Sequence, residues 1–138
     1  MAGIVAAVTN NGTGIAGVGP EGVRIVPVTV MSPDGTGQDN DVIMGVMWAA
    51  DHGADVILMG FSADGFSPNL QDAIDYAWSK GAVLVAATGN DNVSTPTFPA
   101  GDRGVIGTSA TTPSDVLAPG SNYGQDVFLG APDRKSVV

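Results

Sequence analysis

Two hydrophobic patterns take turns along the chain. In residues 39–51, Val42, Ile43, Val46, Met47 and Ala50 recur at helical spacing and predict one amphipathic helix. Asp39 or Asn40 is placed to cap it and Gly53 to stop it. Residues 67–80 predict a second helix, with Ser67 as N-cap, Pro68 at the first helical position and Gly81 at the end. Between the helices lie short continuous apolar runs, DVILMG (55–60) and AVLVAA (82–87), which predict strands buried in a parallel sheet. GVIGTS (104–109) predicts a further strand, and the shorter DVFL (126–129) the last. RIVPVTV (24–30) is β-branched and predicts a further strand, with Pro27 as a blemish. AGIVAAVT (2–9) predicts a helix ending near Asn10 or Asn11, and SPDGTGQ (32–38) is turn material.

An internal echo ties these elements together. WAADHGADVILM (48–59) is similar to YAWSKGAVLVAA (76–87): each is a helix end, a Gly-Ala turn and an apolar strand. Tandem units of this kind predict crossovers of one hand and a parallel sheet covered by helices. The expected fold is therefore α/β, a three-layer Rossmann-like parallel sheet flanked by helices, in one domain over residues 1–138. Ligands of such sheets bind at the carboxyl ends of the strands. Those ends fall near Met31 to Gly37, Phe61 to Gly65 and Thr88 to Asn92.

Composition narrows the partners. A net charge of −9 makes nucleic acid and anionic membranes poor partners. With no cysteine there is no disulfide, thiolate metal site or thiol catalysis. No apolar run has the length of a membrane span, and no charged segment precedes an apolar one at the N-terminus, so neither an anchor nor a signal peptide is expected in these residues. The 20 glycines predict many tight turns.

Two motifs invite functional readings that their contexts reject. Gly12-Thr13-Gly14-Ile15-Ala16-Gly17 fits the G-x-G-x-x-G dinucleotide pattern, but that loop must follow a strand and open a helix. Here a helix precedes it and a strand is expected after it, so it reads as a glycine-rich connection. Gly60-Phe61-Ser62-Ala63-Asp64-Gly65 sits between a strand and a helix like a nucleophile elbow, yet the second glycine of G-x-S-x-G is replaced by Asp64. The lone histidine, His52, precedes the strand that Ser62 follows. A strand of about six residues spans roughly 20 Å, so His52 is not expected to reach Ser62. It reads as a surface residue near a helix C-terminus.

Several stretches together resemble the subtilisin-like serine proteases, especially thermostable thermitase- and fervidolysin-like members. Met1 to Ala7 and Thr9 to Val18 resemble the helix and loop after the family's H-G-T-x-V-A-G histidine motif. Trp48-Ala49-Ala50 and Gly53 to Ile57 resemble the helix and strand before its substrate-binding segment. Ala86-Ala87-Thr88-Gly89-Asn90 matches A-A-x-G-N, which implies that Asn90 is an oxyanion donor. Phe98-Pro99-Ala100 resembles an aromatic-proline pair that is often cis, and Ala118-Pro119, Ser121-Asn122-Tyr123-Gly124 and Ala131-Pro132 resemble later segments. The resemblance places the family's catalytic aspartate and histidine before Met1 and its G-T-S-M-A nucleophile after Val138.

It also implies two weak cation sites. One is a calcium loop at Val8, Asn11, Thr13 and Ile15, whose aspartates in the family come from further upstream. The other is a carbonyl cluster at Ala100, Asp102 and Val105. Calcium wants six to eight oxygens, usually with carboxylates, so weak binding or none is expected and no cofactor is required. The family is mostly secreted, which leaves the location of this chain open.

Where the family reads I-N-M-S-L-G-G, this chain has Ile57 to Ala63 as ILMGFSA. Lacking the Asp, His and Ser of the triad, the chain is expected to be catalytically inactive, and such departures, with a methionine at a helix start, predict an engineered minimal core or scaffold, cut down and resurfaced; a natural decayed homologue would share these features. One alternative is a weak designed esterase using Ser62 with Asn90. The other is a binding or display module whose Ser136-Val137-Val138 terminus fits the S-x-V pattern read by PDZ domains. Surface uncovered by the loss of neighbouring segments is expected to favour self-association.

Overall fold

The structure is a computed structural model, described here for residues 1–132. In chain order it contains α1 (Ala2–Ala6), α2 (Asp39–Asp51), β1 (Val56–Met59), α3 (Pro68–Ser79), β2 (Val83–Ala87), β3 (Val105–Thr111) and β4 (Leu129–Pro132). The four strands form one sheet in the order β1-β2-β3-β4. Every pairing is parallel, with Val56 opposite Val83, Leu84 opposite Val105 and Thr108 opposite Leu129. This is the α/β class that the alternating helix and strand patterns predict.

Neither Asp39 nor Asn40 caps α2: the helix already includes both, and the residue before it, Gln38, makes no side-chain capping bond, so α2 starts without a side-chain cap whereas α3 has one. Ser67 Oγ accepts a hydrogen bond from Leu70 N at 3.3 Å, and Pro68 follows the cap. The same hydroxyl donates to Asp39 Oδ2 at 2.6 Å, tying the start of α3 to the start of α2. Gly53 (φ +74°) and Gly81 (φ +91°) turn the chain out of α2 and α3 in the left-handed conformation that glycine adopts without strain. From there the chain enters β1 and β2, which is the origin of the internal echo.

The core lies between α2, α3 and one face of the sheet. Val46, Ala49 and Ala50 of α2 and Leu70, Ile74 and Ala77 of α3 meet Ile57, Met59, Leu84 and Ala86. Ile74, Ala77 and Leu84 have no exposed surface. Burial in β1 alternates: Ile57 and Met59 are covered, whereas Val56 is 58% and Leu58 47% exposed. The apolar run 55–60, expected to be buried on both faces, is thus buried on one. Both long helices stand over the same face, and no other described helix exceeds five residues.

Residues 24–30 form no strand. Val28 and Val30 lie against α2, where a Cβ on Gly45 would collide with Val30 Cγ1. Their backbone finds no pairing strand among the described residues, and a strand needs a neighbour to satisfy its polar groups. The only ladder contact nearby is the single bridge between Met31 and Gly37.

The first helix is also shorter than expected. The chain returning after the glycine-rich loop takes its carbonyls: Val18 N donates to Ile4 O at 2.8 Å, Gly19 N to Val5 O at 2.8 Å and Gly17 N to Ala7 O at 3.0 Å. A Cβ on Gly17 would lie 2.6 Å from Ala7 N, so this close approach requires a glycine. No helix opens after Gly17 until α2, which leaves the loop without the helix N-terminus that a pyrophosphate would need. The last strand starts at Leu129 rather than 126, because Asp126 crosses over Gly107 and Phe128 N donates to Gly107 O at 2.8 Å before the β4 ladder begins.

Candidate functional site

Because the strands are parallel, their carboxyl ends share one edge of the sheet. Gly60 to Gly65 leaves β1 there, and Thr88 to Val93 leaves β2. The first segment is held by a two-way backbone bridge between Ala63 and Phe98, with both N···O distances 2.9 Å. Phe66 meets Phe98 edge-on at 5.6 Å, and the Phe98–Pro99 bond is cis.

Asn90 sits in the second segment and is exposed. No hydrogen bond among the described residues engages its side chain, so its amide is available to a ligand. The backbone around it is fixed by Asn122. Asn122 Nδ2 donates to Thr88 O at 2.8 Å. Its Oδ1 accepts from Asp91 N at 2.8 Å and from Val93 N at 3.3 Å. The sequence shows Asn122 only as part of a matching Ser-Asn-Tyr-Gly stretch. Its role depends on contacts with residues 29 to 34 positions away, which no local pattern reveals.

Ser62 does approach this segment. A Cβ added to Gly89 would lie 2.8 Å from Ser62 Oγ and 2.6 Å from Asn122 Nδ2. The structure therefore brings Ser62 beside the strand-end segment that carries Asn90. It brings no base from among the described residues. His52 closes α2 at the other end of β1, where its Nδ1 lies 2.8 Å from Trp48 O and its ring stacks on Trp48 at 3.8 Å. None of the described side chains hydrogen-bonds to Ser62 Oγ.

The implied cation loops offer incomplete donor sets. The loop from Val8 to Ala16 surrounds a concavity of about 210 Å³, but it contains no carboxylate. Asn11 Oδ1 already accepts from Thr13 N at 3.1 Å, which leaves Val8, Thr13 and Ile15 short of a six-oxygen shell. At the second site the Asp102 carbonyl is occupied by Val105 N at 3.3 Å. No cluster of three or more acidic or histidine side chains suited to a metal occurs among the described residues.

The Asp102 side chain does something different. It is 4% exposed, and neither carboxylate oxygen has a hydrogen-bond partner. Burial, with Asp39 and Asp75 adding repulsion, pushes its carboxyl up to about 6. Its turn is clasped to α3 by Gln71, whose Nε2 donates to Arg103 O at 3.0 Å and whose Oε1 accepts from Arg103 N at 2.9 Å. Asp75 pairs with the Arg103 guanidinium. Sequence reasoning names Asp102 for its carbonyl and misses its carboxylate, because the buried position comes from the packing of a distant helix. The Ser136-Val137-Val138 terminus lies outside the described residues.

Comparison with known proteins bears on the fold and the family. The profile of the Subtilase family matches residues 1–137. A thermophilic serine proteinase from Bacillus sp. (strain AK1) is 44% identical over 132 residues, covering 96% of this chain and 33% of the relative. Thermitase from Thermoactinomyces vulgaris is 42% identical over 131 residues, covering 95% of this chain and 47% of the relative. A solved protease from Pseudoalteromonas arctica PAMC 21717 superposes with a TM-score of 0.87 at 37% identity, covering 94% of this chain and 41% of that one. The chain thus spans less than half the length of these relatives. A thermitase-like sequence, a parallel four-strand sheet and a profile match along almost the whole chain lead to one conclusion: the chain belongs to the subtilase family.

Proposed function

We propose that these 138 residues supply the sheet and the oxyanion side of a subtilisin-like serine protease site, and that as this chain alone they are catalytically inert. Asn90 is the donor that would stabilise a developing oxyanion, and the segments Gly60–Gly65 and Thr88–Asn90 are the backbone walls of the substrate site. The observation that carries the inert reading is the position of His52. The lone imidazole is held on Trp48 O at the far end of β1, so no described histidine can take a proton from Ser62. Without a nucleophile–base pair, oxyanion stabilisation has no tetrahedral species to act on.

The uncovered sheet face bears on the origin of the chain. A resurfaced minimal core calls for polar side chains where neighbours have been removed. Val56, Leu58 and Val83 are instead 58%, 47% and 45% exposed. We therefore read this face as one that other parts of a protease domain cover, and do not adopt an engineered origin. The cation loops, with their incomplete donor sets, are proposed to bind calcium weakly or not at all.

The test is labelling with a fluorophosphonate serine probe, read by intact mass, on the parent chain and on Ser62→Ala. The expected result is no adduct on either. A stoichiometric adduct on the parent that is lost in Ser62→Ala would show an activated serine and overturn the inert reading in favour of a Ser62 hydrolase.

A further inference from the structure

We propose that Asn122 is a positioning residue for Asn90, clamping the strand-end segment so that the Asn90 amide is presented in one orientation. The inference rests on the reading of Asn90 as an oxyanion donor. Asn122 is 1% exposed and spends its whole side chain on this segment. Its Nδ2 reaches Thr88 O, on the strand side of Asn90, at 2.8 Å. Its Oδ1 reaches Asp91 N at 2.8 Å and Val93 N at 3.3 Å, on the loop side. Its own backbone N donates to Gly89 O at 3.1 Å. The residues flanking Asn90 are therefore tied to one residue, by its side chain and its backbone N, while the Asn90 side chain remains free; Gly120 O adds a hold on Asn92 N at 2.9 Å.

The segment needs such a tie. It has no regular hydrogen-bond ladder, and it includes Gly89 at φ +102° and Asn92 at φ +56°, conformations that a released loop would leave. The clamp is itself anchored to the sheet, because Ser121 Oγ accepts from Ala110 N of β3 at 2.9 Å. An amide suits this position chemically. It offers a donor and an acceptor on one planar group, whereas a carboxylate would face Thr88 O with a second acceptor and an aliphatic side chain would release Asp91 N and Val93 N and leave Thr88 O to Thr97 Oγ1 alone.

The experiment has two arms. In the first, amide exchange and heteronuclear NOEs are measured by NMR on the parent chain, Asn122→Ala and Asn122→Asp. In Asn122→Ala, exchange at Asp91 and Val93 is expected to rise about tenfold or more and the Asn90 backbone amide to become mobile, with Leu84 and Val85 unchanged. Asn122→Asp keeps the acceptor and is expected to keep the protection of Asp91 and Val93 while releasing Thr88, which carries the test should the alanine variant fail to fold. A segment as ordered in Asn122→Ala as in the parent, or Asp91 and Val93 unprotected in a folded Asn122→Asp, would overturn the clamp.

In the second arm, residues 1–138 are completed to a whole protease domain with the remaining segments of thermitase, and peptide hydrolysis is measured. Loss of one oxyanion donor, known from a subtilisin itself, costs roughly 10²–10³ in kcat. Asn122→Ala is expected to lower kcat at least about tenfold with KM within about twofold, and to cost little more when Asn90 is already alanine. An equal loss in both backgrounds would overturn positioning through Asn90. If Asn90→Ala alone leaves kcat unchanged, the oxyanion reading of Asn90 fails, and the NMR arm still decides the clamp.

Discussion

Asp102 lies in a Gly-Asp-Arg-Gly turn, where sequence alone predicts a solvated carboxylate. Packing against α3 makes it a buried one whose proton is held up to about pH 6, against an unfolded value of 3.8. Between those values the folded chain binds more protons than the unfolded chain. Stability from this group is thus fully present below about pH 4 and is lost as pH rises to about 6. A shift of this size corresponds to at most about 3 kcal/mol. Asp102→Asn is expected to flatten the fall of Tm between pH 4 and 7, and thermal scans across that range would check it; an unchanged slope would mean that the carboxylate is solvated. Ser67 and Gly89 are further residue-scale determinants. Ser67→Ala removes the α3 cap and the link to Asp39, and is expected to cost about 1 kcal/mol in chemical denaturation. Gly89→Ala forces a side chain into a left-handed position already crowded by Asn122 and Ser62, and is expected to cost about 1–3 kcal/mol in the same measurement.

At the scale of elements, α3 is held mainly by its buried stripe of Leu70, Ile74 and Ala77. Ile74→Ala is expected to destabilise the chain by about 2–5 kcal/mol, because a fully buried aliphatic side chain is removed from a packed interface. A midpoint shift in urea equivalent to under about 1 kcal/mol would show that α3 is loosely seated. The same helix was legible in the sequence down to its cap and its terminating glycine, since both act through residues three or four positions away. The segment 24–30 was not. Its β-branched residues carry the local preference for a strand, but a strand is completed by a neighbour, and none of the described residues pairs with it. The alternation in β1 was hidden for a related reason: a run of four apolar residues reads alike whether one or both faces of the sheet are covered.

At the scale of the whole molecule, a chain with a net charge of −9 carries uncovered apolar side chains along β1 and β2. Charge repulsion opposes association and apolar area favours it, and salt screens only the former. The chain is expected to self-associate more at 0.5 M than at 0.05 M sodium chloride, which sedimentation velocity would measure. Leu58→Glu on the open face is expected to reduce this association without touching the core, since it removes apolar area on the edge strand β1 and adds to the net negative charge.

The sequence by itself determined the two long helices, the parallel sheet and the family, because periodicity, terminating glycines and motifs such as Ala-Ala-Thr-Gly-Asn are written in neighbouring residues. It also placed His52 and Ser62 at opposite ends of one strand, since that follows from element order alone. Only the tertiary structure decided that Asn122 holds the segment of Asn90, that Asp102 is buried without a partner and that one face of the sheet stands open. Each of these depends on groups that are far apart in the chain and meet only when the sheet and its helices pack, and burial and hydrogen bonding across such distances leave no local pattern to read.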